Sequence, residues 1–400
     1  MIKILFVDDE VKVLEGLQRM LRSMRRDWEM AFAEGGQAAL DRLAQEPFDV
    51  VVTDMRMPGK DGAQLLTEVM ERHPQIVRII LSGHSDQEMI MRSVGPAHQY
   101  LSKPCDSETL KKTVTRACAL RDLLASEKLR LLVSQMRALP SVPSLYMELT
   151  KELQSPEASI NRVGEIIAQD LGMTAKILQM VNSAFFGLSR RVTCPTEAAG
   201  FIGLDRVRSL VLSVQVFSQF DSAELPDNFL TALWSHCMLV AKFSELIAKA
   251  ERQERQAVDE AFTAGLLHES GKLVLASNLP RQYREVLTLA RSEGLTIADA
   301  EQQVFGASHP EVGAYLLGLW GLPHSLVEAV AFYHAPSQCA VEAFSPLTAV
   351  HVADFLEGER HAAEQPKASC SMDVEHLTKL GLLERLPAWR QACASMEIGQ

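Results

Sequence analysis

Long apolar segments, an excess of basic residues and paired cysteines are all missing from this 400-residue sequence. Its first apolar run, residues 1–7, meets acidic residues at once and is too short for a signal peptide or a membrane span. Forty Lys and Arg against 51 Asp and Glu give a net charge of −11, which argues against coating nucleic acid or an anionic membrane. We therefore expect a soluble, cytoplasmic protein that binds neither nucleic acid nor membrane.

The seven cysteines stand singly, and no C-x-x-C pair occurs. This pattern argues against a disulfide framework and against a thiolate zinc site. The rest of the composition is average: 47% of the residues are apolar and 23% are charged, which suits a folded globular protein. At roughly 150 residues per domain, the length predicts two or three domains.

The first 105 residues alternate short β-rich runs with helical segments. The runs lie at 3–7, 28–33, 49–53, 76–81 and 98–101. Between them, apolar residues recur at helical spacing, as at Val13, Leu14 and Leu17. This alternation predicts an α/β domain with five parallel strands and five crossover helices. In such sheets the reactive groups lie just beyond the carboxyl ends of the strands.

Charged and polar residues follow four of these runs. Asp8 and Asp9 follow the first run, Asp54 the third, Ser82 the fourth and Lys103 the fifth. Clustered carboxylates repel one another unless a cation neutralises them, and hard oxygen ligands select Mg²⁺. Asp54 is the predicted nucleophile, forming an aspartyl phosphate whose oxygens Lys103 and Ser82 bind. A strand-end Asp taken alone is more often a helix cap or a turn residue, but five groups in register favour the phosphoryl site.

Residues 1–122 resemble the receiver domain of bacterial two-component response regulators. The matching motifs are VDDE at 7–10, TDMRMPGKDG at 53–62, LSG at 81–83 and YLSKP at 100–104. The resemblance implies a flavodoxin-like fold, with a five-stranded parallel sheet in the order 2-1-3-4-5. It also implies a domain that catalyses its own phosphoryl acceptance and release.

The same resemblance implies roles for individual residues. Asp9, Asp54 and the backbone carbonyl of Arg56 would bind Mg²⁺, with Asp8 helping through water. A sensor histidine kinase would be the partner that supplies the phosphoryl group to Asp54.

A conformational switch is implied as well. In the family, the phosphoryl group draws in a hydroxyl, which is Ser82 here, and an aromatic side chain, which is Tyr100 here, turns inward. The face made by the fourth helix, the fifth strand and the fifth helix is thereby remodelled. The Lys103–Pro104 bond matches one that is usually cis in the family.

The fifth helix is predicted to be longer than a receiver domain needs. An apolar stripe begins after Asp106, so we expect one extended helix over 106–138 that connects the domains and pairs with a second copy in a homodimer. Pro140 and Pro143 then end the helix, because proline lacks an N–H and moves the preceding residue out of helical geometry.

From 139 to 357 nearly every segment has helical periodicity, which predicts an all-α domain, and 358–400 form a partly helical tail. Over about 138–340 this half resembles the HDOD domain, a member of the HD superfamily of metal-dependent phosphohydrolases. The marks are LPSVP at 139–143, QDLGMT at 169–174, VNSA at 181–184, FIGL at 201–204 and LLHESGK at 266–272. HDOD domains generally lack a complete metal set, so the resemblance implies a non-catalytic output that binds an unidentified downstream protein.

Imidazoles and carboxylates in the second half are candidate ligands for a second metal. They are His236, His268, Glu269, His309, His334 and Asp354. His351 lies three residues before Asp354, on the same face of a predicted helix. Glu269 stands where the superfamily has Asp, and its extra methylene moves the carboxylate by more than about an ångström, which would disturb a preorganised two-metal site. We therefore expect Mg²⁺ at the receiver site and no second metal.

Two other outputs stay open. The first is a metal-dependent phosphohydrolase that uses these histidines and acids, and loss of turnover in His268→Ala would identify it. The second is a DNA-binding regulator, in which the stretch 198–208 resembles a helix-turn-helix and offers Arg206 and Arg208 to a groove. Two basic residues in an acidic protein give DNA binding little support.

Overall fold

The structure is a computed structural model, and it consists of an N-terminal α/β half and a C-terminal helical half. The residues that it describes are 1–82, 96–119, 124, 126–136, 139–141, 143–155, 157–182, 191–205, 207, 211, 218–219, 225–226, 229–339, 342–361 and 371–394. None of the helices within these ranges is both long and apolar enough to cross a membrane.

Five parallel strands form the sheet of the N-terminal half. They are β1 (Ile2–Asp8), β2 (Trp28–Glu34), β3 (Val50–Asp54), β4 (Val77–Ser82) and β5 (Gln99–Ser102). Their order is β2-β1-β3-β4-β5, which confirms the predicted sheet. Leu5, Phe6 and Val51 are fully buried, because the central strands of a parallel sheet are covered on both faces.

Crossover helices provide that cover. On one face, α1 (Val11–Met20) and α4 (Ser107–Ala119) pack against the sheet, and on the other face α2 (Gly36–Gln45) and α3 (Gly62–Arg72) do so. The helix expected between β4 and β5 falls on residues 83–95, which lie outside the described part of the chain.

The connector differs from its prediction. A new helix, α5 (Glu127–Ser134), begins where one continuous helix over 106–138 was expected. Ser126 is extended, with φ −73° and ψ 110°, and its hydroxyl accepts a hydrogen bond from Leu129 N. A serine in this position satisfies an amide that a helix leaves unpaired at its start. The expectation of a single helix is therefore corrected, because Ser126 ends the continuity and caps α5.

Helices packed around a large apolar core make up most of the described C-terminal half. In chain order they are α6 (Pro143–Gln154), α7 (Ile160–Ile167), α8 (Leu171–Val181), α9 (Pro195–Ile202), α10 (Phe229–Ala250), α11 (Arg255–Leu267), α12 (Ser270–Asn278), α13 (Pro280–Glu293), α14 (Ile297–Phe305), α15 (His309–Leu319), α16 (His324–Phe332) and α17 (Pro346–His361). The all-α prediction needs one small correction. Two-residue strands, β6 (Pro140–Ser141) and β7 (Ser218–Gln219), form a parallel pair, because Pro140 cannot continue a helix and extends the backbone.

The described part of the tail packs on the helical body. It forms α18 (Val374–Lys379) and α19 (Leu386–Ala394). Trp389 is fully buried, and its Nε1 donates to Glu251 Oε1 at 2.8 Å, just beyond the end of α10. Arg385 Nε donates to the same carboxylate oxygen at 2.8 Å. Residues 371–394 therefore belong to the helical body of the protein.

Helix α15 carries the contact between the two halves. Gln99 Nε2 in β5 donates to Gly318 O, near the end of α15, at 3.3 Å. Arg116 in α4 donates to Leu322 O, just beyond α15, at 2.7 Å. The fifth strand and the helix that follows it thus face the helical domain.

A buried arginine also joins the sheet to the connector. Arg78 in β4 donates from Nε to Pro96 O at 2.6 Å and from Nη2 to Ser134 O, the last residue of α5, at 2.5 Å. These carbonyls lie in the interior, where water is excluded, so they need a protein donor. The guanidinium supplies it, together with His98 Nε2, which lies 3.1 Å from Ser134 O.

We predict that Arg78→Met lowers the free energy of unfolding by about 3 kcal/mol or more, because it leaves several buried carbonyls without a donor. Arg72→Met is the matched control, since the Arg72 side chain is 63% exposed, and its effect should stay within about 0.5 kcal/mol. Urea unfolding of the full chain measures both. Equal stabilities of the two variants would contradict the role given to Arg78.

Candidate functional sites

The carboxyl ends of the parallel strands bring three charged side chains together. Lys103 Nζ donates a hydrogen bond to Asp8 Oδ2 at 2.7 Å and a second one to Asp54. Asp8 Oδ1 also accepts the amide of Glu10 at 2.9 Å, and Asp54 Oδ2 accepts the amide of Arg56 at 2.6 Å. The two carboxylates are thereby held on either side of one ammonium.

Burial and charge oppose each other at this site. Burial raises the pKa of the Asp54 carboxyl, and the Lys103 ammonium, which lowers it, offsets only part of that rise. Burial lowers the pKa of Lys103, but hydrogen bonds to Asp54 and Asp8 outweigh that effect and leave its pKa raised. Lys103 therefore stays an ammonium, the form that binds a phosphoryl oxygen.

The remaining predicted residues of this site lie around the same edge of the sheet. Asp9 is exposed directly after β1, and Tyr100 is buried in β5. Ser82 ends β4, which pairs with β3, but its side chain lies outside the described residues. The Lys103–Pro104 peptide bond is cis, as the resemblance implies.

A second cluster of polar side chains lies inside the helical half. The groups that converge are His236 in α10, His268 and Glu269 between α11 and α12, His309 at the start of α15, His334 after α16 and Asp354 in α17. These are the six residues that the sequence offers as candidate ligands. The structure brings all of them to one place.

Two glycines allow the helices to approach closely enough for this convergence. A Cβ at Gly265 in α11 would lie 2.8 Å from the Cα of Ala241 in α10, so only glycine lets these two helices approach so closely. A Cβ at Gly271 in α12 would lie 1.9 Å from the backbone oxygen of His309 in α15. Such contacts are far shorter than packed atoms allow, so glycine sets the spacing of the cluster.

Four of the groups surround one point, which we call the first position. His236 Nε2 and His268 Nε2 lie 3.0 Å apart. Asp354 Oδ1 lies 3.4 Å from His236 Nε2 and 3.9 Å from His268 Nε2. Glu269 Oε1 lies 3.7 Å from each of these two nitrogens. Imidazole nitrogens and carboxylate oxygens at such mutual distances are the donor set of a transition metal.

Three groups face a neighbouring point, which we call the second position. His309 Nε2 lies 3.6 Å from Glu269 Oε2, the other oxygen of the same carboxylate. His334 Nε2 lies 3.3 Å from His309 Nε2. Glu269 therefore lies between the two positions and offers one oxygen to each.

The outer nitrogens of three imidazoles are held by acceptors. His236 Nδ1 lies 3.0 Å from a carboxylate oxygen of Glu357, and His268 Nδ1 lies 2.6 Å from the backbone oxygen of Gly265. His309 Nδ1 lies 2.5 Å from a carboxylate oxygen of Glu301. An acceptor at Nδ1 fixes the ring orientation and directs the Nε2 lone pair inward, as in protein metal sites.

The charges in this cluster are coupled. Burial would raise the pKa of Glu269, but Lys272 and the surrounding imidazoles lower it well below its ordinary value. Burial lowers the pKa of His268 to about 4, whereas Asp354 and Glu357 outweigh burial at His236 and raise its pKa to about 10. His236 is therefore the protonated ring, and its Nε2 donates to neutral His268. The carboxylates are ionised, as metal ligands must be.

Sequence reasoning missed part of this cluster. Glu301 and Tyr333 line it. Tyr333 directly precedes His334 and could have been found from that position, whereas Glu301 lies eight residues before His309 with no motif to mark it. Glu357 could have been found, because it lies one turn after Asp354 on the same helix. His351 is not part of the cluster: its Nδ1 donates to the backbone oxygen of Tyr333, and its Nε2 accepts the amide of Asp373.

The stretch proposed for DNA binding is only partly described. Arg206 and Arg208 both lie outside the described residues. The first helix of that stretch, α9, ends at Ile202 and packs against α7.

Two regions of this chain match known protein families. The HDOD domain family model matches residues 139–336, and the response regulator receiver domain model matches residues 4–115. An uncharacterized protein of Treponema pallidum (strain Nichols) is 26% identical over 238 residues, which are 58% of this chain and 45% of that protein. The hydrogenase transcriptional regulatory protein HoxA of Cupriavidus necator is 34% identical over 160 residues, which are 40% of this chain and 32% of HoxA. This chain thus spans less than half the length of these two relatives.

Two solved structures are similar to large parts of this chain. The MmoQ response regulator from Methylococcus capsulatus has a TM-score of 0.48 at 24% identity, covering 64% of this chain and 93% of that one. An HDOD domain protein of unknown function from Geobacter sulfurreducens has a TM-score of 0.36 at 21% identity, covering 72% of this chain and 94% of that one.

We predict that Gly271→Ala lowers the free energy of unfolding by about 2 kcal/mol, because its methyl group forces α12 and α15 apart. Gly16→Ala is the control: Gly16 lies in α1, and its Cβ would meet no described atom within 4 Å. That variant should gain about 0.5–1 kcal/mol. Thermal and urea unfolding measure both changes, and a Gly271→Ala variant as stable as the wild type would refute the close approach.

Proposed function

Since this chain belongs to the response regulators, with a receiver domain at 4–115 and an HDOD domain at 139–336, we propose that Asp54 is its phosphoryl acceptor. The observation that supports this most directly is the bridging of Asp54 and Asp8 by Lys103 at the strand ends. An Asp54 oxygen forms the bond to phosphorus as the bond from phosphorus to an imidazole nitrogen of a sensor histidine kinase breaks.

The chain's own residues bind and orient the reacting groups. Lys103 holds a phosphoryl oxygen, and the Arg56 amide keeps the Asp54 carboxylate in place. Mg²⁺, when bound, screens the negative charge of the incoming group. The oxygen donors fit this hard cation, and it would be held by Asp9, Asp54 and the Arg56 carbonyl, with Asp8 acting through water.

The phosphorylated state would reach the helical domain through the face that contains β5. Ser82 and Tyr100 respond to the phosphoryl group, and Gln99, next to Tyr100, contacts the end of α15. A change in this contact alters the packing of the two halves. The proposed output is a surface of the HDOD domain, or of a homodimer, that then binds a downstream protein.

We predict that Asp54→Asn abolishes labelling of the chain by acetyl phosphate and Mg²⁺, because the amide cannot act as the nucleophile. Asp41→Asn on the exposed face of α2 should label as the wild type does. Phosphate-affinity gel electrophoresis measures the labelled fraction, and chelation of Mg²⁺ should remove it in both chains that label. Undiminished labelling of Asp54→Asn would place the acceptor elsewhere.

We also propose that the helical domain holds a metal ion and hydrolyses a phosphoester. The observation that favours this second function is the inward aim of the Nε2 atoms of His236 and His268 toward Asp354 and Glu269. The nitrogen and carboxylate donors fit Zn²⁺, Mn²⁺ or iron. Such a metal, when bound, would polarise a phosphoryl oxygen. The geometry thus favours a metal-dependent phosphohydrolase over the expectation that the helical half holds no metal.

We predict that the purified chain, made without a histidine tag, carries stoichiometric Zn, Mn or Fe, and that His268→Ala loses it. His324→Ala is the matched control, because the His324 side chain is 75% exposed and remote from the cluster, and it should keep the metal. Elemental analysis gives the content, and hydrolysis of a nitrophenyl phosphodiester gives the activity. A metal-free, folded wild-type chain would leave protein binding as the output.

A further inference from the structure

A tyrosine hydroxyl is placed at the second position of the histidine cluster. Tyr333 is fully buried, and its hydroxyl lies 2.6 Å from His309 Nε2. We infer that Tyr333 closes the second position, so that the cluster holds one metal ion, at the first position, instead of two. This inference rests on the metal centre proposed above.

The direction of the hydrogen bonds supports this role. Glu301 accepts both the backbone amide of His309, at 2.7 Å, and the ring nitrogen Nδ1, at 2.5 Å. The Nδ1 atom therefore carries the ring proton, and Nε2 offers a lone pair. That lone pair accepts the Tyr333 hydroxyl. The hydrogen-bonded series Tyr333–His309–Glu301 thus occupies the lone pair of His309 Nε2, which a metal at the second position would need.

The hydroxyl also faces the carboxylate that the two positions share. Tyr333 Oη lies 3.3 Å from Glu269 Oε1, so the phenol occupies the space between His309 and Glu269. A metal entering the second position would have to displace a hydrogen-bonded hydroxyl from a site that excludes water. Losing the 2.6 Å hydrogen bond between this hydroxyl and His309 Nε2 is unfavourable in a buried site.

The first position differs from the second in what its imidazole nitrogens contact. There His236 Nε2 and His268 Nε2 lie 3.0 Å from each other, whereas at the second position His309 Nε2 lies 2.6 Å from a hydroxyl. Lys272 Nζ donates to Glu269 Oε1 at 2.5 Å, so the competing contact at the first position falls on the carboxylate. The two positions therefore differ in whether a hydroxyl occupies an imidazole lone pair.

Removal of the hydroxyl should open the second position. Glu269 Oε2 is buried and, within the described residues, has no hydrogen-bond partner, so it remains available as a ligand there. His334 Nε2 lies 3.3 Å from His309 Nε2 and would be the third donor. Tyr333→Phe keeps the ring and its packing and removes only the oxygen atom.

The test is the zinc content of the full chain after equilibration with Zn²⁺ and gel filtration. His268→Ala gives the content without the first position. The wild type should exceed His268→Ala by one zinc per chain, and Tyr333→Phe should exceed the wild type by one more. Tyr315→Phe, which removes a different buried phenol oxygen on α15, should match the wild type. Circular dichroism confirms that each variant is folded.

Each other result overturns the inference in a recognisable way. A wild type that already exceeds His268→Ala by two shows that the second position is open. A Tyr333→Phe chain that gains no zinc shows that the hydroxyl is not what limits binding, and one that loses zinc shows that Tyr333 is a ligand. A wild type equal to His268→Ala contradicts the metal centre itself.

Discussion

The helical half depends on keeping two ionised carboxylates, Glu269 and Asp354, inside its core. Burying a charge is unfavourable unless it is paired and hydrogen-bonded. Lys272 donates to Glu269 at 2.5 Å, and the protonated ring of His236 lies within 3.4 Å of Asp354. His236 belongs to α10 and Lys272 to α12, so these two helices each contribute a partner to this balance. The same arrangement of negative oxygens and inward nitrogens is what makes the cluster suited to a metal ion.

The receiver site follows the same rule on a smaller scale. There one ammonium, Lys103, lies between two carboxylates at the edge of the sheet and offsets part of their negative charge. Helix α15 connects the histidine cluster to the receiver sheet: His309 at its start belongs to the cluster, and Gly318 O near its end accepts a hydrogen bond from Gln99, the first residue of β5. A shift of this helix would change both the position of His309 in the cluster and the contact of Gly318 with Gln99.

The sequence predicts the receiver half well because its chemistry follows from topology. Parallel strands place their carboxyl ends at one edge, so the amino-acid pattern alone assigns Asp8, Asp54 and Lys103 to one site. The break in the connector is harder to predict from the sequence. Its apolar stripe indicates one continuous helix, but Ser126 caps the start of a new helix, α5, and this capping is a local effect.

The histidine cluster shows what the sequence cannot give. Its ligands are spread over more than a hundred residues, from His236 to Asp354, and only the packing of the helices brings them together. Gly271 lies in the LLHESGK motif, but the motif does not show which backbone it approaches, and the acceptor Glu301 belongs to no short motif. The six candidates could therefore be identified from their chemistry. Their convergence, and the position of the Tyr333 hydroxyl beside His309, could not be predicted.

A metal ion held by the inward-facing donors of the helical half should be visible by X-ray diffraction. Anomalous diffraction from crystals of the full chain, at the absorption edge of its bound element, tests this most directly. We expect an anomalous peak within bonding distance of His236 Nε2 and His268 Nε2, with Glu269 and Asp354 completing the site. A map without a peak there, in which the two nitrogens still share a hydrogen bond, would contradict it.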